Sequence, residues 1–255
     1  MPAILTISRC VIEQNSGESG GGISATGNSN FAVTINDSTI SGNSASNLGG
    51  GIENEVFMTI NRSTVSGNTS SAGKGGGIWN FVSVRLRLIN STISGNSGDG
   101  IYNEGDLTMA NDTINGNIGN GLLNGLKFCV ITCITIGSAT LWDTIIANST
   151  FPNCYSQGQL TSNGYNLSSD STCNLNGSGD LNNTNPLLGP LQNNGGPTQT
   201  HALLPGSPAI DAGNPKGCTD WNGFKLLKTD QRGMPRPDKE DTGGCDMGAY
   251  ERQTD

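Results

Sequence analysis

The chain has one histidine, 13% charged residues and 5% aromatic residues across 255 positions. One histidine and no pair of cysteines at C-x-x-C spacing leave too few ligands for a zinc site, so neither metal nor cofactor is expected. Basic residues are scarce: 13 Lys and Arg against 21 Asp and Glu give a net charge of −8. Without a basic cluster to neutralise phosphates, a nucleic-acid partner is not expected. Arg85 and Arg87 in "SVRLRLIN" come nearest, and arginines alternating with apolar residues read as the outer face of a strand. Long apolar runs are absent too. "FCVITCITIG" at 128–137 falls well short of the roughly 20 residues a membrane helix requires, so no membrane span is expected. Nor does a signal segment open the sequence. Met1 runs directly into strand-like "ILTISRCVIEQN", and the expectation is that it is not the start of the full array.

What is abundant is small and polar: 38 glycines and 31 asparagines, with many serines and threonines. Hydrophobic content is only 33%, yet the low charge is unlike that of a disordered chain. Such a composition folds if its core is thin and continuous, as in repeat architectures whose units bury their apolar faces against one another. The sequence repeats accordingly. "NDSTISGNSASNLGGGIEN" at 36–54 returns as "NRSTVSGNTSSAGKGGGIWN" at 61–80, as "NSTISGNSGDGIYN" at 90–103 and as "NDTINGNIGNGLLN" at 111–124. Aligning on "STISGN" puts Ser38, Ser63, Ser91, Asp112 and Asp143 in register. A second anchor of glycine then aliphatic falls at Ile23, Ile52, Ile78, Ile101 and Leu122. A third strand-like piece ("FAVTIND", "VFMTINR", "VRLRLIN", "DLTMAND") separates the two.

Three short strands per period of 21–31 residues, all alternating at period 2, describe an all-β chain: a right-handed parallel β-helix with three strands per coil. If Ile40 points inward, Ser38 does too, while Thr39 and Ser41 point out. The asparagine closing each "SGN" sits at a corner, where its side chain can bond backbone groups. Stacking is expected to align Asn15, Asn43, Asn68, Asn96, Asn117 and Asn148 into a ladder. The glycine triplets at 20–22, 49–51 and 75–77 supply another corner. Nine of ten prolines lie at or beyond Pro152, and the motif fades after Asn148. Residues 1–150 therefore read as regular coils, 151–185 as irregular coils, and 186–255 as a loop-rich cap over the last coil, which would otherwise expose strand edges.

Paired "GGGI" and aliphatic-x-x-Asn segments resemble the tetrapeptides of polymorphic membrane protein repeats, which implies a surface-displayed adhesive β-helix. "NPLLGPLQNNGGPTQTHALLPGSPAIDAGNP" (185–215), "TDQRGMPRP" (229–237) and "CDMGAYE" (245–251) resemble the choice-of-anchor Q domain of bacterial exported proteins. That resemblance implies an extracellular or cell-surface location. It covers about 70 residues.

Seven cysteines occur. In an exported chain Cys154 with Cys173 and Cys218 with Cys245 are the expected disulfides, on separation, while Cys129 and Cys133 alternate with apolar residues as core positions do. Glu53, Trp79, Arg85 and Tyr102 are candidate glycan contacts, weighed against ordinary solvated strand positions. The other coil acids, Glu55, Asp99, Glu104 and Asp106, are scattered, and no catalytic set assembles. His201 reads as structural. Asp211, Asp230 and Asp246 are weighed as calcium ligands against aspartates that bond their own turns, the simpler reading. Nine N-x-[ST] sites (Asn36, Asn61, Asn68, Asn90, Asn111, Asn148, Asn166, Asn176, Asn182) read as turns of the repeat more readily than as glycan acceptors. The functional expectation is a non-catalytic, extracellular surface solenoid, structural or adhesive, with self-assembly into a filament as an extension. Its partner is a cell-surface or glycan ligand, or itself. The alternatives are a polysaccharide lyase or glycoside hydrolase, and an ice-binding solenoid using Thr39, Thr64, Thr92 and Thr113 with Ser41, Ser66 and Ser94.

Overall fold

The computed structural model describes residues 3–27, 30–129, 133–220, 222–223, 225–239 and 244–254; Met1 lies outside them. Among these residues there is no helix, and so none long and apolar enough to cross a membrane. The chain is a parallel β-helix of seven coils. One sheet stacks Ala3–Ser8, Phe31–Asn36, Phe57–Asn61, Arg85–Ile89, Asp106–Ala110, Ser138–Trp142 and Gln159–Ser162. A second stacks Val11–Glu13, Thr39–Ser41, Thr64–Ser66, Thr92–Ser94, Thr113–Asn115, Ile145–Ala147 and Leu167–Ser168. The third runs from Ile23–Ala25 through Ile52–Asn54, Ile78–Asn80, Ile101–Asn103 and Leu122–Asn124 to Cys154–Ser156.

Period-2 alternation in these short strands sends alternate side chains inward, and the parallel register stacks them into columns. One column runs Val33, Met58, Leu86, Leu107, Ala139; another Ile35, Ile60, Leu88, Met109, Leu141. The second sheet contributes Ile40, Val65, Ile93, Ile114 and Ile146, the third Ile52, Ile78, Ile101 and Leu122. All are at most 2% exposed. At roughly 1.5–3 kcal/mol per buried large aliphatic, about four such residues per coil sustain a core one side chain thick.

The corners explain the recurring small residues. In the triplet Gly75–Gly77 each glycine has its own reason. Gly75 adopts φ +61°; a Cβ on Gly76 would lie 2.2 Å from the Ser97 carbonyl oxygen; one on Gly77 would meet the Asn96 side-chain amide at 3.0 Å. Another corner uses a left-handed residue before each "ST": Asp37, Arg62, Asn90, Asn111 and Asp143 all have φ between 45° and 60°.

Three features differ from the sequence reading. In the sixth coil the frame is one residue later than expected. Asp112 N donates to Thr144 Oγ1, so Thr144, not Asp143, continues the Ser38–Ser63–Ser91 row. Asn115 pairs with Ala147, which puts Asn148 at the left-handed position held elsewhere by Gly42, Gly67, Gly95 and Gly116 (φ 55° beside 61–64°), and Ser149 opposite Asn117. Second, Cys129 and Cys133 are not core residues. Both are exposed and disulfide-bonded to one another, at the outer end of an antiparallel hairpin, Leu126–Cys129 with Cys133–Ile136, inserted between coils. Third, the described residues of 186–255 run along the solenoid's flank against the second sheet, down to Leu167 of the last coil, and do not sit across its end. Thr64 Oγ1 donates to Gln199 O at 2.7 Å and Thr92 Oγ1 to Gln231 Oε1 at 2.6 Å, while Thr113 Oγ1 accepts from Ala249 N. The end of the core is closed instead by the segment after the last strands, where Cys173 and Leu175 join the apolar columns and the Cys154–Cys173 disulfide ties them to the sixth coil.

Candidate functional site

Most recurring polar residues are consumed by the coils. Asn15, Asn43, Asn68, Asn96 and Asn117 form the expected ladder: each Nδ2 donates to the next Oδ1 at 3.0–3.1 Å. Asn148 is outside it, exposed, and donates to Asn115. Two further ladders were not anticipated. Asn54, Asn80, Asn103 and Asn124 bond successively at 2.7 Å and end on Ser156 Oγ. The other passes through Ser38, Ser63, Ser91, Asp112, Thr144 and Asn166, each accepting from the backbone N–H of the preceding coil. The signal for the first was visible as the Asn that ends each "IEN", "IWN", "IYN" and "LLN". Of the N-x-[ST] sites, Asn68, Asn90, Asn111 and Asn166 are buried, closed to glycosylation in the folded chain.

The candidate glycan contacts occupy one corner of the solenoid. Glu53, Trp79 and Tyr102 stack in register on the third sheet's outer face. They are not solvated positions: Trp79 is 5% exposed and Tyr102 2%, so neither ring offers a free face for stacking. Phe81 meets Trp79 edge-on at 5.2 Å, and the Lys74 ammonium lies 5.9 Å from the Tyr102 ring centre. Glu53 accepts from Ser24 Oγ at 2.5 Å. Both polar tips converge on Glu104, which receives Trp79 Nε1–H on one carboxylate oxygen (3.2 Å) and the Tyr102 hydroxyl on the other (2.8 Å). Burial first, then the bond to Glu104, raises the Tyr102 phenol and keeps it a donor.

Around that corner, Glu104 lines an open cleft of about 460 Å³ together with Phe57, Arg85, Asp106 and Ser138, walled by Ile136 and Gly137 at the base of the inserted hairpin. Arg85 pairs with Asp106 at 3.0 Å, with both side chains about half exposed, and its guanidinium lies 5.9 Å from the Phe57 ring centre. A second depression of about 220 Å³ shares Phe57 and Arg85 and extends across Thr34, Thr59 and Arg87. Arg85 and Arg87 therefore do lie on the outer face of a strand. Phe57, Glu104 and Asp106 enter this site through stacking across coils, which no local motif announces.

The remaining candidates are structural. His201 is buried; Nδ1 faces the Gly189 carbonyl at 2.7 Å and therefore donates, leaving Nε2 to accept from Ser94 Oγ (2.9 Å) and Asn115 Nδ2 (3.3 Å). Burial lowers its pKa, which keeps the ring neutral. Asp211, Asp230 and Asp246 do not gather round an ion. Asp230 pairs with Arg232 at 2.8 Å, and Asp246 accepts backbone N–H from Asp211 and Arg252. Burial, then the neighbouring Glu251, pushes Asp246 up to about 7. Burial likewise lifts Asp143 to about 7. Among the described residues only Asp143, Cys218 and Cys245 bring three potential metal ligands together, and those sulfurs form a disulfide. Both expected disulfides, Cys154–Cys173 and Cys218–Cys245, are present, and Cys10 is an exposed free thiol. Of the threonines weighed for ice binding, Thr64, Thr92 and Thr113 are buried beneath the flanking C-terminal segment. Comparison with protein-family models, with curated proteins and with solved structures gives no match for this chain.

Proposed function

We propose that this chain is a non-catalytic, extracellular β-solenoid displayed at a cell surface, with a structural or adhesive role. The observation that carries the reading is the fate of the recurring polar residues. The asparagines, serines and threonines that dominate the repeat are spent on ladders between coils and on seating the flanking segment, so the repetition builds a rod and its repeated rows assemble no reaction centre. Six of the seven cysteines are in disulfides, which is compatible with an oxidising, extracytoplasmic setting. The likeness of 185–251 to choice-of-anchor Q domains points the same way, toward display. Head-to-tail filament growth gains no support, because Cys173 and Leu175 occupy the core at one end of the rod.

The test is to incubate purified, disulfide-intact protein with whole cells and with a polysaccharide panel, following both adherence and release of reducing or unsaturated sugar. Retained adherence without turnover is the expected result. Turnover that disappears on replacing Glu104 or Asp106 overturns the non-catalytic reading in favour of the hydrolase or lyase alternative.

A further inference from the structure

The exposed cleft beside Phe57 and Arg85 has no structural task that the coils require. Its ion pair is solvent-exposed, and such pairs contribute little to stability, about 0–1 kcal/mol. Phe57 is 44% exposed, an aromatic side chain presented outward from a strand whose neighbours in sequence alternate in and out. The depression extends along the stacking direction, from Thr34 on the second coil through Thr59 and Phe57 on the third, Arg85 on the fourth and Asp106 on the fifth to Ser138 on the sixth. Four coil spacings of about 4.8 Å make it roughly 19 Å long. Each coil thus adds at least one polar or aromatic group at a regular interval.

We infer that this cleft binds an uncharged, linear polysaccharide lying along the solenoid axis. Three properties select that chemistry. The charges balance: two arginines, Arg85 and Arg87, and two carboxylates, Glu104 and Asp106, line the joined depressions, and a chain of net charge −8 repels a polyanion at long range. The polar groups suit hydroxyls, which donate and accept together. Arg85 supplies donors beside the Asp106 acceptor, Thr34 and Thr59 do both, and each Glu104 oxygen has one donor already in place and room for another. The Phe57 ring supplies an apolar surface for the C–H face of a sugar ring. Trp79 and Tyr102 take part from behind as positioning residues, because their N–H and O–H fix the orientation of Glu104. Their burial, which removes them as stacking platforms, is what makes them rigid supports.

The inference rests on the adhesive reading and names its ligand class. Titration calorimetry with uncharged oligosaccharides of about six units, such as cello-, xylo- and manno-oligosaccharides, is set beside polygalacturonate. Binding of at least one uncharged series is expected, with Phe57→Ala, which removes the apolar surface, and Arg85→Ala, which removes the charged donors, each weakening it about tenfold or more. Thr161→Ala, on the same sheet one coil beyond the cleft's last lining residue Ser138, leaves binding within about twofold. Ligand should also shift tryptophan emission through Glu104, and Trp79→Phe, which removes one of the two donors that hold Glu104, should abolish the shift and weaken calorimetric binding severalfold. Binding unchanged in both Phe57→Ala and Arg85→Ala, or a preference for polygalacturonate, overturns the inference. No glycan binding alongside persistent cell adherence also overturns it and leaves the adhesive reading standing. Cleavage of a bound oligosaccharide keeps the cleft but overturns the non-catalytic reading.

Discussion

Removing the amide of Asn68 tests whether the ladder holds the coils together or merely decorates them. The side chain is fully buried. Its Oδ1 accepts from Asn43 N (2.9 Å) and Asn43 Nδ2 (3.0 Å), and its Nδ2 donates to Ile40 O (3.0 Å) and Asn96 Oδ1 (3.0 Å). Asn68→Ala orphans the Asn43 backbone N–H and one Asn43 amide N–H; the Ile40 carbonyl keeps its place in the strand ladder and Asn96 Oδ1 keeps the Asn68 backbone N–H. At about 1–3 kcal/mol for each unsatisfied buried group, and with partial relaxation, the expected loss is about 3–5 kcal/mol. Asn15→Ala is the internal control. Asn15 is exposed at the ladder's first rung, and Asn43 Oδ1 keeps the Asn15 backbone N–H, so a loss below about 1 kcal/mol is expected. Urea unfolding of disulfide-intact protein, followed by circular dichroism, measures both. Because repeat arrays can unfold in stages, the slopes must agree before midpoints are compared. Losses within about 1 kcal/mol of one another at Asn68 and Asn15 would refute the claim that buried amide pairing stabilises the stack.

Other expectations follow from the same geometry. Gly50→Ala places a Cβ 2.4 Å from the Thr69 carbonyl oxygen and should lower the thermal midpoint strongly, whereas Gly67→Asn, at φ +61° in open space, should change it little. Asp143 and Asp246 have folded pKa values raised to about 7, so they stabilise the fold fully below their unfolded value near 3.8 and lose that contribution as pH rises through about 7. His201, lowered by burial, acts oppositely: its contribution is present above about 6.5 and is lost as pH falls below that. Asp112 and Glu251, also raised by burial, act in the same direction as Asp143 and Asp246, so the urea midpoint should be lower at pH 8 than at pH 5.5, and Asp143→Asn should reduce the difference. Non-reduced peptide mapping should recover Cys129–Cys133, Cys154–Cys173 and Cys218–Cys245, with Cys10 alone alkylated; any other pairing contradicts the fold.

The coil was legible because each turn of the chain meets the same constraints at the same corners, so "STISGN" and "GGGI" recur with a spacing that only a stacked coil explains. The frame slipped at the sixth coil because "DTI" at 143–145 repeats "DTI" at 112–114, where the aspartate does continue the serine row, and the inserted hairpin removes the spacing that would choose between the two frames. Trp79 and Tyr102 were placed correctly in register and wrongly in solvent. Alternation tells which way a side chain leaves a strand, not what lies over it. The flank was misplaced for a related reason. Thr64, Thr92 and Thr113 look like an exposed polar row until Gln199, Gln231 and Ala249 bond to them across more than 130 residues. The cleft rests on neighbours such as Phe57 and Arg85, or Glu104 and Trp79, that belong to different coils.

In both asparagine ladders every side-chain amide faces the same way: the N–H end reaches toward the following coil and the oxygen accepts from the preceding one. Aligned amides add as vectors, as peptide units do in a helix. The rod therefore carries a built-in electrical direction, negative toward the first coil and positive toward the sixth, that owes nothing to its ionised groups. It persists at any pH, and salt in the surrounding water screens it only at the tips.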